Sequence, residues 1–206
     1  MAVAARVLVV DDHPLIIAAV EGVLTGSGVA SVVDHASSLN DARAKLRSPG
    51  GYQLVVLDLG LSDSQGMNGL LTLREDFPDI PVIILTSDSS IETVTAAFEN
   101  NARGFVVKGE SPHVLVSAVR TVLSGGTHIP ELSGVNLPPN PPATPLSPRK
   151  LDVLRLLLEG LPNKTIATRL GLSENTIKVH IAGIYAELNV HNRVQAVMRA
   201  RQLGLS

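Results

Sequence analysis

Asp11 and Asp12 follow the apolar run 6–10, Asp58 follows 54–57, Thr86 closes 82–86 and Lys108 follows 104–107. Three carboxylates brought to one place repel one another unless a hard cation joins them, and Mg²⁺ prefers such oxygen ligands. A carboxylate so placed can attack a phosphoryl donor, while the cation and the Lys108 ammonium neutralise the transferring oxygens. The Thr86 hydroxyl is suited to donate a hydrogen bond to one of those oxygens. An Asp-Asp pair after a strand is by itself more often a turn or helix cap, and a strand-terminal Thr or Lys is usually surface. The ordered set carries the reading, not any one member.

The elements that must position these residues are legible as alternating patterns. Short β-branched runs at 6–10, 31–35, 54–57, 82–86 and 104–107 alternate with helical periodicity near 14–25, 38–47, 67–76, 91–99 and 112–124. Five strand–helix units predict an α/β doubly wound, five-stranded parallel sheet of the flavodoxin-like kind, with its site at the carboxyl ends of the strands. After residue 146 no strand pattern appears. Four short helical segments, separated near 160–162, 170–173 and 189–192, predict a separate all-α domain. Between the two, residues 132–146 contain Pro138, Pro139, Pro141, Pro142 and Pro145 and no charge. Such a run is extended, with a reach of roughly 40 Å at about 3.1 Å per residue. The expected division is therefore 1–127, a proline-rich linker 128–145, and 146–206.

Charge divides at the same place. Residues 1–131 hold 8 Lys/Arg against 15 Asp/Glu, a net of −7, whereas residues 147–206 hold 9 against 4, a net of +5. A basic block beside an acidic one suggests a polyanion partner for the former. The absence of cysteine excludes disulfides, thiolate zinc sites and a cysteine nucleophile. None of the six histidines shows metal-ligand spacing. The stretch 1–6 is too short for a secretory signal, and no apolar run approaches the roughly 20 residues of a membrane span. A cytoplasmic protein without a membrane partner is expected.

With these residues in place, 5–125 resemble a response-regulator receiver domain. The segment Val7-Leu8-Val9-Val10-Asp11-Asp12-His13-Pro14 is similar to that family's opening, and the spacing from Asp58 to Thr86 to Lys108 fits without a gap. The resemblance implies that Asp58 is the phosphoacceptor, Thr86 the switch hydroxyl, Lys108 the active-site lysine and Phe105 the rotating switch aromatic. It further implies a Mg²⁺ cofactor held by Asp11, Asp12, Asp58 and the backbone carbonyl of Gly60. Two departures bear on loop geometry and phosphoryl lifetime: Ser62 stands where proline is usual, and Gly109 follows Lys108 where many receivers have a cis proline.

Residues 146–204 resemble the helix-turn-helix of the NarL/FixJ (LuxR-type) regulators, carried by Leu146-Ser147-Pro148-Arg149, 154–160, Asn163-Lys164-Thr165-Ile166-Ala167 and the run 173–180. Gly171 supplies the turn and Ser173 caps the next helix. Ile177, Ile181, Ile184 and Leu188 make its buried stripe, leaving Lys178, Val179 and Ala182 to enter a major groove. Lys164, Thr176 and His180 are the further candidates for DNA contact. The family often carries lysine at Ala182, which bears on site preference. It also usually completes the Ser147 capping box with glutamate where Lys150 stands. Lysine there is unfavourable by about 0.3–1 kcal/mol against the helix dipole. Either this helix end is less stable or Lys150 meets something negative; the first is expected, with Lys150→Glu stabilising the isolated helical domain by about 0.5–1 kcal/mol.

The two resemblances imply a two-component response regulator: a phosphoprotein switched through Asp58 by a partner sensor histidine kinase, binding promoter DNA as a homodimer to regulate transcription. Its last segment, 193–203, is the candidate dimer helix, and RNA polymerase is a further candidate partner. It would be no enzyme beyond its own aspartyl phosphorylation and dephosphorylation. A haloacid-dehalogenase-type phosphatase uses similar residues but wants a second aspartate as general acid, and Asp58-Leu59-Gly60 offers none. A protein-only adaptor is disfavoured by the +5 block.

Overall fold

A strand covered on both faces has no polar side to present, which is why the five runs are built from Val, Ile and Leu. In the computed structural model, which describes residues 5–130 and 146–205, they form β1 (Ala5–Val10), β2 (Ala30–Ala36), β3 (Leu54–Leu57), β4 (Val82–Thr86) and β5 (Gly104–Val107). All pairings are parallel, in the order β2-β1-β3-β4-β5. Parallel neighbours need crossovers. These run through α1 (Pro14–Gly26), α2 (Leu39–Arg47), α3 (Asn68–Asp76) and α4 (Ile91–Glu99), and α5 (Pro112–Leu123) closes the unit. The expected elements are all present, with ends displaced by no more than one residue.

Local signals start the helices. Pro14 and Pro112 occupy first-turn positions, and the side chains of Ser38 and Ser90 accept the backbone N–H of Asp41 and Thr93. Val7 and Val9 of β1 pack with Val20 and Leu24 of α1 and with Val119 and Val122 of α5. The core is aliphatic, as a chain with 2% aromatic residues requires.

The sheet order places the site. The chain leaves β1 toward β2 on one side and leaves β3 toward β4 on the other, so a crevice opens at their carboxyl ends. Val10 lies opposite Leu57, and the Asp58 N–H donates to the Val10 carbonyl at 2.9 Å. Asp11 and Asp58 therefore emerge side by side.

The chain divides into two compact units, 1–124 and 125–206. The second carries α6 (Pro148–Leu158), α7 (Asn163–Leu170), α8 (Glu174–Leu188) and α9 (Arg193–Gln202) around a core that includes Leu154, Leu157, Ile166, Ile177 and Ile184. The stretch 131–145, most of the expected proline-rich linker, lies outside the described residues. Residues 125–130, which the sequence reading divides between receiver and linker, group with the helical unit. The Thr127 N–H donates to the Gly160 carbonyl at 2.9 Å, Arg201 donates to the Pro130 carbonyl at 2.9 Å, and Ile129 is buried.

This strap generates a test. A fragment 125–206 should be more stable than a fragment 146–206 by about 1–3 kcal/mol, the scale of one buried isoleucine with a hydrogen bond or two. Chemical denaturation of both fragments measures it. Equal midpoints would show that the strap adds nothing to the helical unit.

Candidate functional site

At the crevice Asp11 and Asp58 are buried and Asp12 is half-buried. Lys108, just beyond β5, reaches both buried carboxylates: its Nζ lies 2.7 Å from Asp58 Oδ2 and 2.8 Å from Asp11 Oδ2. Burial alone would push the Lys108 ammonium down. Its close contacts with the Asp11 and Asp58 carboxylates outweigh that and hold its pKa above the ordinary lysine value. One ammonium among three carboxylates leaves two negative charges uncompensated, the charge of one divalent cation. Asp11 Oδ2 and Asp12 Oδ1 are buried with no aligned hydrogen bond, although each has a basic group at 2.8 Å, Lys108 Nζ and His13 Nδ1 respectively. Lone pairs free on converging carboxylates suit a hard cation, so the donor set fits the expected Mg²⁺. Asp11, Asp12, His13 and Asp58 can each offer one ligand atom, all within 4.8 Å of one another. The sequence reading assigned no metal-binding role to any histidine; His13 stands within this cluster.

The surrounding loops resolve both departures from the family pattern. Where proline is usual, the Ser62 N–H donates to Asp12 Oδ2 at 3.2 Å, tying the loop after β3 to the acid cluster. Its neighbour Asp63 accepts the backbone N–H groups of Leu39 and Asn40, at 2.9 and 3.1 Å, and so caps α2 from outside. Sequence reasoning missed this role, since nothing local links residues 24 apart. Gly109 adopts φ +96°, a conformation open to glycine and strained for other residues, and that is how the chain turns from Lys108 into α5. Thr86 is buried at the end of β4, its hydroxyl accepting the Asp88 N–H at 3.3 Å, and Phe105 is fully buried in β5. Gly60 stands in the loop directly after Asp58 and Leu59, exposed.

In the helical unit, Gly171 at φ +65° ends α7, and the Ser173 side chain accepts the Thr176 N–H at 3.1 Å to start α8. Ile177, Ile181, Ile184 and Leu188 are buried along one face of α8. Lys178, Val179 and Ala182 are exposed on the other, and Val179 is 71% exposed, much for so apolar a side chain. Lys164 is exposed in the first turn of α7. His180 and Thr176 are half-buried, and the Thr176 hydroxyl lies 2.8 Å from Ser173 Oγ within the cap. A helix-turn-helix with its second helix bare on one face is the geometry that enters a major groove.

Comparison with known proteins decides the family. Residues 7–120 match the response regulator receiver domain, and residues 144–200 match the bacterial regulatory proteins of the luxR family. The chain belongs to the NarL/FixJ response regulators. It is 34% identical to the nitrate/nitrite response regulator protein NarP of Escherichia coli over 94% of this chain and 93% of that one. It is 31% identical to the glycerol metabolism activator of Pseudomonas putida, covering 98% and 97%. Among solved structures, the response regulator ChrA of a heme-sensing two-component system aligns with a TM-score of 0.53 at 30% identity, covering 98% of this chain and 99% of that one. The protein is thus a two-component response regulator, a DNA-binding transcription factor and not an enzyme of metabolism. Among the described residues no helix is long and apolar enough to cross a membrane.

The regulator resolves the choice left open at Lys150. Ser147 caps α6 by accepting the Lys150 N–H at 3.4 Å, while the Lys150 side chain turns away and its Nζ lies 2.5 Å from Glu187 Oε1 on α8. Its stem passes over Gly183, where an added Cβ would meet Lys150 Cε at 2.9 Å. A glycine inside a helix costs about 1 kcal/mol against alanine, and here it opens the path for the lysine. The expected gain from Lys150→Glu is therefore overturned. That substitution sets two carboxylates against each other on packed helices. An exposed ion pair contributes about 0.2–1 kcal/mol and loss of one buried partner costs about 3–5 kcal/mol. This pair is about three-quarters buried, with side chains 23% and 26% exposed. Lys150→Glu should accordingly destabilise the helical unit by about 1–3 kcal/mol, and Lys150→Met, which keeps the stem, by less. Denaturant titration of the variants tests the order, and a raised midpoint for Lys150→Glu would restore the capping-box expectation.

Proposed function

We propose that Asp58 is the phosphoacceptor, and that its phosphorylation makes the regulator pair on promoter DNA, with α8 reading bases. The observation that carries the first half is the Lys108 ammonium held between Asp58 and Asp11 at 2.7 and 2.8 Å, within a cluster two negative charges in excess. An Asp58 carboxylate oxygen bonds to phosphorus as the P–N bond of the kinase's phosphohistidine breaks, and the departing imidazole nitrogen takes up a proton. The Lys108 ammonium then turns from carboxylate to phosphoryl oxygen, and the Thr86 hydroxyl donates to another. Mg²⁺ held by Asp11, Asp12, Asp58 and the Gly60 carbonyl would neutralise charge on the transferring group. The same residues serve dephosphorylation, when water replaces the histidine.

Incubation of the full chain with a small acyl phosphate and Mg²⁺ should add one phosphate by intact mass, and Asp58→Asn should remove it. Undiminished labelling of that variant would place the acceptor elsewhere.

The DNA-reading surface rests on the bare face of α8. Lys178 suits a guanine edge, Val179 suits a thymine methyl and Ala182 admits close approach, while Lys164 at the start of α7 suits a phosphate. Thr176 and His180, half-buried along α8, are the further candidates for DNA contact. The candidate dimer helix is α9, Arg193–Gln202. In this reading phosphorylation frees α9 and α8 from the receiver, and two copies bind paired half-sites. RNA polymerase then meets the bound dimer.

Lys178→Ala should cost about 1–3 kcal/mol at the specific site and little on random duplex. Lys164→Ala should weaken binding evenly and lower the salt slope by about one. Gel-shift titrations over a salt series separate the two. Unchanged affinity of Lys178→Ala for both duplexes would remove α8 from the groove.

A further inference from the structure

A cavity of about 150 Å³ opens between α1 and α5, at the ends of β4 and β5. Ile16 and Val20 line it from α1, Leu115 from α5, and Leu85 and Val106 from the sheet. Val20, Leu85, Val106 and Leu115 are buried members of the core cluster, so the cavity is a notch in the core itself. That cluster contains no aromatic side chain to fill the space, and α1 contributes the small, exposed Ala19 to the rim.

The rim also carries polar groups. Glu110 folds back on its own loop, where Oε2 accepts the Val107 N–H at 3.1 Å, and its other oxygen is left for a further partner. Ser111 stands at the N-cap of α5, yet its side chain makes no cap hydrogen bond. Both residues are exposed, and both line the cavity. Lys108 lines it too, with its ammonium engaged at 2.7 Å from Asp58 Oδ2 and 2.8 Å from Asp11 Oδ2. An apolar chamber of this size holds a molecule as large as benzene, whereas drug-sized molecules need roughly twice the volume or more. The free acceptor at Glu110 calls for one donor, and its negative charge disfavours an anion.

We propose that this cavity binds a neutral one-ring molecule with a single hydroxyl or N–H donor, phenol being the simplest, and that the occupant slows phosphorylation through Lys108. The ring fills the notch and the donor meets Glu110 at the rim. Bound there, the molecule packs against Lys108 and favours the resting position of its ammonium between the two carboxylates. The binding site is independent of the phosphoryl chemistry. Its effect on Asp58 rests on the part assigned to Lys108 in the proposed function.

The test titrates phenol, benzene and benzoate into the full chain with ¹³C-labelled methyl groups. Phenol should shift the methyl resonances of Val20, Leu85 and Leu115 saturably. Benzoate should bind at least about tenfold more weakly, because its charge must be buried beside Glu110. Glu110→Ala should weaken phenol by about three- to tenfold, the range of one hydrogen bond, and leave benzene unchanged. Ala19→Phe places a ring over the mouth from an exposed helix position and should abolish the shifts. Shifts spread evenly over the molecule, benzoate binding as tight as phenol, or undiminished binding by Ala19→Phe would each overturn the site. Shifts of the same methyls with protein concentration alone would assign the cavity to a second copy of the chain and overturn it equally. Saturating phenol should slow acyl-phosphate labelling of Asp58 by the factor of its preference for the resting lysine, at least about threefold, and leave Ala19→Phe unaffected. Unchanged labelling of the wild type overturns the coupling to Lys108. A chain that takes no label at Asp58 defeats the phosphoacceptor reading, while the methyl titration still decides the site.

Discussion

Mutual repulsion of Asp11, Asp12 and Asp58 is the constraint that organises the first unit. Like charges this close destabilise the fold unless something answers them, and the sheet is arranged to supply the answer. The parallel order brings β1 and β3 together so that two carboxylates emerge in register, and β5 delivers Lys108 to the same edge. Gly109 then turns the chain sharply enough to let Lys108 point back while α5 packs on the sheet. A lysine so held offsets part of the cluster's negative charge. The formal excess of two negative charges suits the site to a cation.

The loop after β3 links this electrostatic problem to the rest of the unit. Ser62 gives its backbone N–H to Asp12, a donor that a proline in its place would lack. Asp63 is then free to cap α2, using its negative charge where the helix presents unpaired N–H groups. The departure from the usual sequence thus exchanges rigidity of the main chain for two polar anchors, one on the acid cluster and one on a neighbouring helix. Asp12 and the start of α2 are thus tied to adjacent residues of one loop.

Legibility in the sequence followed the range of the interactions. Strands, helices and the acid cluster were readable because periodicity and strand-end position are local, and the topology of an α/β sheet converts position along the chain into position in space. Asp63 on α2, Lys150 on Glu187 and Thr127 on Gly160 were not, because each joins residues far apart in sequence through packing that no local pattern encodes. Lys150 is instructive. Its conflict with the capping pattern was visible, and the expectation offered two outcomes; only the crossing of α6 over Gly183 decides between them. His13 was passed over because a single histidine lacks a spacing to recognise, and only the turn of its ring toward Asp11 and Asp12 brings it into the cluster.

The helical unit carries its own consequence for signalling. Arg193 at the start of α9 donates to the carbonyls of Leu157 and Leu161, and Thr127 donates to that of Gly160 between them. The turn that joins α6 to α7 is therefore held from two sides, by the helix proposed to pair and by a strap only a few residues beyond α5. Arg201 extends the second attachment by gripping Pro130 from the far end of α9. Strap, turn and α9 form one hydrogen-bonded assembly, and α7 leads directly from that turn into the helix-turn-helix.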